Sequence, residues 1–189
     1  MNLSLKHGLL GILNYKDMTG YELTKTFEDS LSFFWQAKAS QIYRELNAME
    51  KNGWLISRQI IQSDKPNKRI YTLTGAGKAE LARWLSKPQA DIESAIRLRS
   101  AFLMRLFLGN ENSTSQSLDI LEAYRKQCNR CLAEMSSAHE SIEHYGKIYG
   151  RDNAKYWQLT ALYGEEYLQA SIHWADKAIE ILKNDIEGS

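Results

Sequence analysis

Residues 40–53, SQIYRELNAMEKNG, decide how this chain folds. At about 100° per residue, Ile42, Leu46 and Met49 line one face of a helix. Ser40, Arg44, Asn47 and Lys51 fall in a narrow arc on the opposite face, flanked by Gln41 and Tyr43, with Lys38 just ahead. Gly53 supplies the left-handed residue that ends a helix firmly. The apolar face requires a core. The polar arc carries what a DNA major groove accepts: an arginine to bridge guanine acceptors, an asparagine to pair with adenine, a lysine to meet phosphate. An ordinary solvated face carries similar residues, so the flanking sequence must decide.

Upstream, residues 3–14 carry Leu3, Leu9, Leu10, Ile12 and Leu13 and read as a buried helix. Lys16-Asp17-Met18 reads as a short connection. Thr19-Gly20-Tyr21-Glu22 fits a capping box, so a second helix is expected from Gly20 to near Ser30, with Tyr21, Phe27 and Leu31 on its apolar side. Downstream, residues 54–62 (WLISRQIIQ) are rich in strand formers, SDKPNK is a turn, and RIYTLT (69–74) reads as a second, half-exposed strand. Lys65, Lys68 and Arg69 then stand at or beside the tip of a β-ribbon, placed to grip a DNA backbone or minor groove. A fourth helix is expected from Thr74-Gly75 to about Leu85. Its Gly-Ala-Gly is no dinucleotide fingerprint, because Glu80 takes the third glycine's place and no βαβ unit surrounds it.

Helix, helix, helix, strand, turn, strand is the order of a winged helix-turn-helix. GLLGIL, TGYEL, FFWQAKASQIYRELNAMEKNGWLISR and KRIYTLTGAGKAELARWL together resemble the PadR-like family of transcriptional regulators. Gly20-Tyr21-Glu22-Leu23, Ile42-Tyr43 with Leu46, Gly53, and Tyr71-Leu73-Thr74 with Gly77 fall in that family's order over about residues 5–87. The resemblance implies a cytoplasmic, dimeric regulator, usually a repressor, in which Tyr43, the polar face of its helix and the wing meet DNA. Ala39 stands where many members carry glycine, and Arg44 where many carry proline.

Pro88 marks a boundary, giving a winged domain over 1–87 and a helical domain over 88–189. In the second half, Ile92, Ile96, Ala101, Phe102, Leu106 and Phe107 read as an apolar helix ending at Gly109. A long helix follows over 115–149, with Leu118, Leu121, Cys128, Leu132, Met135, His139, Ile142 and Tyr149 as its stripe. Gly150 and Asp152-Asn153 interrupt, and a last helix carries Trp157, Ala161, Leu168, Ile172, Ala175, Ile179 and Leu182 over 154–182. Such stripes call for a partner surface, either each other in a hairpin or a second copy. The resemblance implies the second, since longer PadR-like members dimerise through a helical C-terminal region. The fold class is therefore mainly α: three helices and a two-stranded wing, then an all-helical dimerisation domain.

Charge supports this division. Residues 1–87 hold 13 Lys+Arg against 8 Asp+Glu, a net of +5, whereas residues 88–189 hold 11 against 15, a net of −4. A basic half fits an anionic partner, here double-stranded DNA as an inverted-repeat operator bound by a homodimer. No apolar run is long enough to span a membrane. MNLSLKHGLLGIL lacks the small-residue cleavage site of a signal peptide, so a cytoplasmic chain is expected.

Catalytic and metal motifs are missing. Cys128 and Cys131 form a C-x-x-C followed by His139 and His144, but eight helical residues put Cys131 and His139 roughly 12 Å apart, too far for one zinc ion. A thiol switch remains the sharper reading of this pair and small buried cysteines the plainer one. No metal, cofactor or nucleophile signature is found, and an enzyme is the weakest reading. The competing reading from another class is a winged helix serving as a protein-interaction module. A small-molecule effector is implied by resemblance, since some members answer phenolic acids and others bind flat aromatic drugs. Trp35, Trp157, Tyr124 and His139 are aromatic candidates to line its site, or ordinary core residues.

Overall fold

The computed structural model describes residues 3–32, 34–61, 67–87, 92, 100–111 and 113–187. The chain divides into two compact units, Met1–Ile96 and Arg97–Ser189. The side chain of Leu3, the tip residues Lys65 and Pro66, and Pro88 and Ile96 lie outside the described residues.

The first unit runs α1 (Leu3–Leu13), β1 (Met18–Thr19), α2 (Gly20–Ser30), α3 (Ala39–Lys51), β2 (Leu55–Ile60), β3 (Lys68–Leu73) and α4 (Gly75–Leu85). The capping box at α2 forms as expected: the Glu22 amide donates to Thr19 Oγ1 at 3.2 Å and the Thr19 amide to Glu22 Oε2 at 2.8 Å. The Thr19 amide above all, with the Thr19 hydroxyl that donates to the same oxygen at 2.8 Å, holds the Glu22 carboxyl below its ordinary range. The core gathers Leu5, Leu9, Leu10, Ile12 and Leu13 of α1, Leu23 and Phe27 of α2, Ile42, Leu46 and Met49 of α3, and Leu55 and Tyr71 of the sheet. Burying each large aliphatic side chain contributes about 1.5–3 kcal/mol.

Three expectations are corrected here. Tyr21 points outward at 73% exposure, because Leu23 and Phe27, one turn apart, define the buried face and Tyr21 lies about 200° from Leu23. The sheet has three strands in the order β1-β3-β2, all antiparallel, since the supposed connection Met18-Thr19 pairs with Tyr71 and Ile70. Flanked on both sides, Tyr71 is buried and not part of a half-exposed ribbon.

The second unit begins its described helices with α5 (Ala101–Phe107). Ser100 is extended, at φ −124° and ψ 115°, and its Oγ accepts from the Leu103 amide at 3.2 Å. The helix expected from Ile92 through Phe107 is therefore broken at Ser100, which acts as an N-cap. A 3₁₀ turn (Gly109–Glu111) leads to α6 (Thr114–Tyr149) and α7 (Arg151–Glu187). Only Gly150, at φ +101°, separates them, so Asp152 and Asn153 lie inside α7 and are not a break.

α6 and α7 pack as an antiparallel hairpin. Leu121, Cys128, Met135 and Ile142 repeat every seven residues and are buried, facing Ala161, Ala175 and Ile179 of α7. Gly146 sits where a Cβ would lie 2.8 Å from Ala154 Cβ, so the helices meet closely beside the turn. Arg125 and Asp176 at 2.8 Å, Lys183 and Glu122 at 3.7 Å, and His139 and Glu165 cross between them. His139, expected within the apolar stripe, is thus turned to the rim of the seam as a polar partner. Among the described residues no helix is long and apolar enough to cross a membrane.

Candidate nucleic-acid interface

α3 is closed at both ends by its own residues. At the start, the Lys38 amide donates to Gln41 Oε1 at 2.8 Å. At the end, Gly53 at φ +71° allows its amide to reach the Glu50 carbonyl at 2.9 Å and the Trp54 amide to reach the Met49 carbonyl at 2.9 Å. These two bonds form the terminal motif that a left-handed residue makes possible. Thr74 then ties this turn to α4: its Oγ1 donates to the Gly53 carbonyl at 2.7 Å and accepts from the Gly77 amide at 3.0 Å. A Cβ on Gly77 would strike the Trp54 carbonyl oxygen, which is why the first turn of α4 carries glycine there.

Held this way, α3 buries Ile42, Leu46 and Met49 and exposes Ser40, Arg44, Asn47 and Lys51. The four exposed residues span about 60° of the helix circumference and include no acid. Lys38 is exposed beside them. Gln41 is half-buried, its side-chain oxygen committed to the helix start. Tyr43 borders the arc at 42% exposure, its ring lying over the start of α2. A Cβ on Gly20 would approach Tyr43 Cε1 to 2.5 Å, so that glycine makes room for the tyrosine. Arg44 occupies the helix interior, where proline would remove a backbone hydrogen bond.

The ribbon divides its cations. Lys68 opens β3 and is exposed. Arg69 is turned back toward α3: its terminal nitrogen meets Glu50 Oε2 at 2.6 Å and its Nε donates to Ser57 Oγ at 2.6 Å. Arg58 and Lys68 are exposed on one face of the ribbon, and Arg69 lies on the other, paired with Glu50. Nothing in the local sequence marks this contact, since Glu50 and Arg69 are 19 residues apart.

A second polar cluster joins α1 to α4. Glu80 accepts from Arg83 at 2.7 and 2.8 Å and lies 3.0 Å from His7 Nε2 and 3.6 Å from Lys6 Nζ. Arg83 above all, with His7, holds the Glu80 carboxyl down at about 2 against burial. His7 is itself buried and stacks on Trp84 with centroids 4.6 Å apart.

Two of the aromatic candidates for an effector site, Tyr124 and His139, stand far apart on α6. Tyr124 stacks on Phe102 at 4.3 Å and meets Trp174 edge-on at 5.8 Å, whereas His139 lies about 22 Å further along α6. Cys128 is buried, and burial pushes its thiol up, away from thiolate reactivity. Among the described residues, no group of three or more His, Cys, Asp or Glu side chains is placed to hold a metal ion.

A three-helix core, a small sheet with its ribbon and an outward polar helix face make the first unit a winged helix-turn-helix. Relatives define it further. The sequence model of the "Transcriptional regulator PadR-like family" matches residues 9–83, and that of the "Virulence activator alpha C-term" matches residues 98–183. The Bacillus subtilis (strain 168) protein described as "Negative transcriptional regulator PadR" is 31% identical over 138 residues, 73% of this chain and 74% of that one. The chain belongs to the PadR-like family of transcriptional regulators. The crystal structure of Bacillus subtilis PadR with operator DNA superposes with a TM-score of 0.75 at 26% identity, covering 95% of this chain and 99% of that one. The same protein with p-coumaric acid gives 0.70 at 24% identity, over 95% of each chain. The Vibrio cholerae virulence activator AphA gives 0.74 at 26% identity, over 95% of this chain and 98% of the other.

Proposed function

We propose that this protein is a DNA-binding transcriptional repressor of the cytoplasm, working as a homodimer on an inverted-repeat operator and released by a small aromatic effector. The first domain, residues 1–87, binds DNA and the second, residues 88–189, dimerises. No reaction is assigned to it. The observation that carries this reading is the acid-free arc of Ser40, Arg44, Asn47 and Lys51, exposed on a helix whose opposite face is buried. Arg44 and Asn47 project from mid-helix toward base edges. Lys38, Lys51, Lys65 and Lys68 supply phosphate contacts, with Ser40, Gln41 and Tyr43 at the margins of the reading face. A relative crystallised with operator DNA and described as a negative regulator supports the target and the sign. Its complex with p-coumaric acid makes phenolic acids the first effectors to try.

The hairpin supports dimerisation. Tyr156, Tyr163, Tyr167 and Ile181 form one stripe on the outer face of α7, each more than half exposed in the single chain. A patch of that kind calls for a second apolar surface. Two reading helices related by a two-fold axis would be centred about 34 Å, or a multiple, apart along the duplex.

The test is a salt titration of affinity for a selected genomic fragment and for random duplex. Arg44→Ala should cost about 1–3 kcal/mol per contacted half-site and relax preference at one base pair. Lys68→Ala should weaken both DNAs and lower the salt slope by about one. If Arg44→Ala leaves both affinities unchanged, the polar face of α3 is not the reading head. Adding p-coumaric acid to the titration tests release.

A further inference from the structure

Glu50 is an acid on a DNA-facing helix. It lies on the flank of the polar arc of α3, on the same side as Tyr43, about 90° from the arc's centre. A bare carboxylate there would repel phosphate. Both of its oxygens are occupied instead. Oε1 accepts from Ser57 Oγ at 2.6 Å and Oε2 from the Arg69 guanidinium at 2.6 Å, while Arg69 Nε donates to the same Ser57 Oγ at 2.6 Å. Ser57 pairs with Tyr71 and Gln59 with Arg69, so Ser57 and Arg69 are diagonal neighbours on one face of the β2–β3 ribbon. The guanidinium also lies 5.5 Å from the ring centre of the buried Tyr71. The three side chains close a ring of hydrogen bonds that joins α3, β2 and β3.

We infer that Arg69 and Glu50 are a positioning pair: they fix the wing against the reading helix and cancel an acid beside the DNA, and Arg69 itself holds no phosphate. This rests on the DNA-binding reading above. Arg69 is half exposed, so the pair is worth little as a surface ion pair. Its effect lies in where it holds the ribbon and in what it screens. A guanidinium suits the task because its planar fork reaches Glu50 and Ser57 together, which a lysine ammonium does not do with fixed geometry.

The full chain is titrated with salt against random-sequence duplex and against the fragment it selects from genomic DNA, as wild type, Glu50→Gln, Arg69→Gln and the double variant. Arg69→Gln uncovers Glu50 and should weaken binding to the selected fragment by about tenfold, through like-charge repulsion. Glu50→Gln releases Arg69 to find phosphate, which should steepen the salt slope on random duplex by about one and narrow the preference for the selected fragment. The double variant has the wild-type net charge. It should keep the wild-type slope and recover affinity to within about threefold, a coupling that only interacting residues give. All four should melt within a few degrees of one another, which excludes unfolding as the cause. If Arg69→Gln and the double variant both lose about one unit of slope, and Glu50→Gln rescues nothing, Arg69 is a phosphate contact and the positioning role is wrong. A wild-type chain that binds neither duplex at low salt overturns the DNA-binding reading, and the positioning role with it.

Discussion

The winged unit and the hairpin unit use their apolar residues differently. In the winged unit seven short elements converge on a common centre, and Leu9, Leu10, Leu23, Ile42 and Leu46 lose all contact with solvent. The outer face of α3 is then free to be polar. In the hairpin two long helices share a seam in which the buried apolar residues of α6 recur only every seven positions, and large side chains remain outside it, Tyr163 at 68% exposure among them. A unit with a closed core can present charge to a polyanion. A two-helix layer with a narrow seam still lacks a second layer on its apolar side. This unequal burial supports the proposed division of DNA reading and assembly between the two units.

The sharpest way to break the comparison is to open the first core alone. Leu46→Ala should cost about 2–5 kcal/mol, because a fully buried leucine leaves a cavity behind. The expected result is loss of DNA binding and of a cooperative melting step while strong helical circular dichroism from α6 and α7 persists. A single transition in which both units melt together would show that they are not independent. A smaller effect is expected at the outer stripe of α7. Tyr163→Glu should raise the dimer dissociation constant by about tenfold or more, about 1.4 kcal/mol, with helicity unchanged. Sedimentation at micromolar concentration reads this, and an unshifted dimer would place the interface elsewhere.

The smallest effect concerns acid. The folded-state value of Glu80, about 2, lies below the ordinary 4.5. Its partners therefore stabilise the winged unit above pH about 4.5, and that contribution is lost as pH falls toward 2. The melting temperature of Glu80→Gln should fall short of wild type at neutral pH and converge with it as pH drops to about 2. A gap that stayed constant with pH would assign the cluster a packing role without charge.

Much of the winged unit was legible because its signals are local. Thr19 with Glu22, Gly53 after Lys51, and the spacing of Ile42, Leu46 and Met49 each lie within one or two turns of chain. What escaped depends on distant partners. Met18-Thr19 is too short to show strand periodicity, and it becomes a strand only because Tyr71 and Ile70 offer an edge. Glu50 and Arg69 look like free charges until the hairpin register brings them together. In the second unit the seven-residue repeat of α6 was readable, but the limits were not. Ser100 starts a helix in the middle of an apolar pattern that reads as continuous, and Asp152-Asn153, which resembles a turn, continues one.

Gly150 alone stands between helices of 36 and 37 residues. Its φ of +101° is a conformation that side chains with a Cβ rarely adopt. Given ordinary helical angles at this residue, α6 would run straight into α7 as one rod about 110 Å long. The seam residues of each half would then lie bare until a second rod covered them, and two chains would exchange halves as an intertwined pair. A closed hairpin and a swapped assembly use the same side chains and the same seam. They differ in the two backbone torsions of one residue, φ +101° and ψ 145° in the hairpin, so the topology of the molecule is set at a single residue that makes no side-chain contact at all.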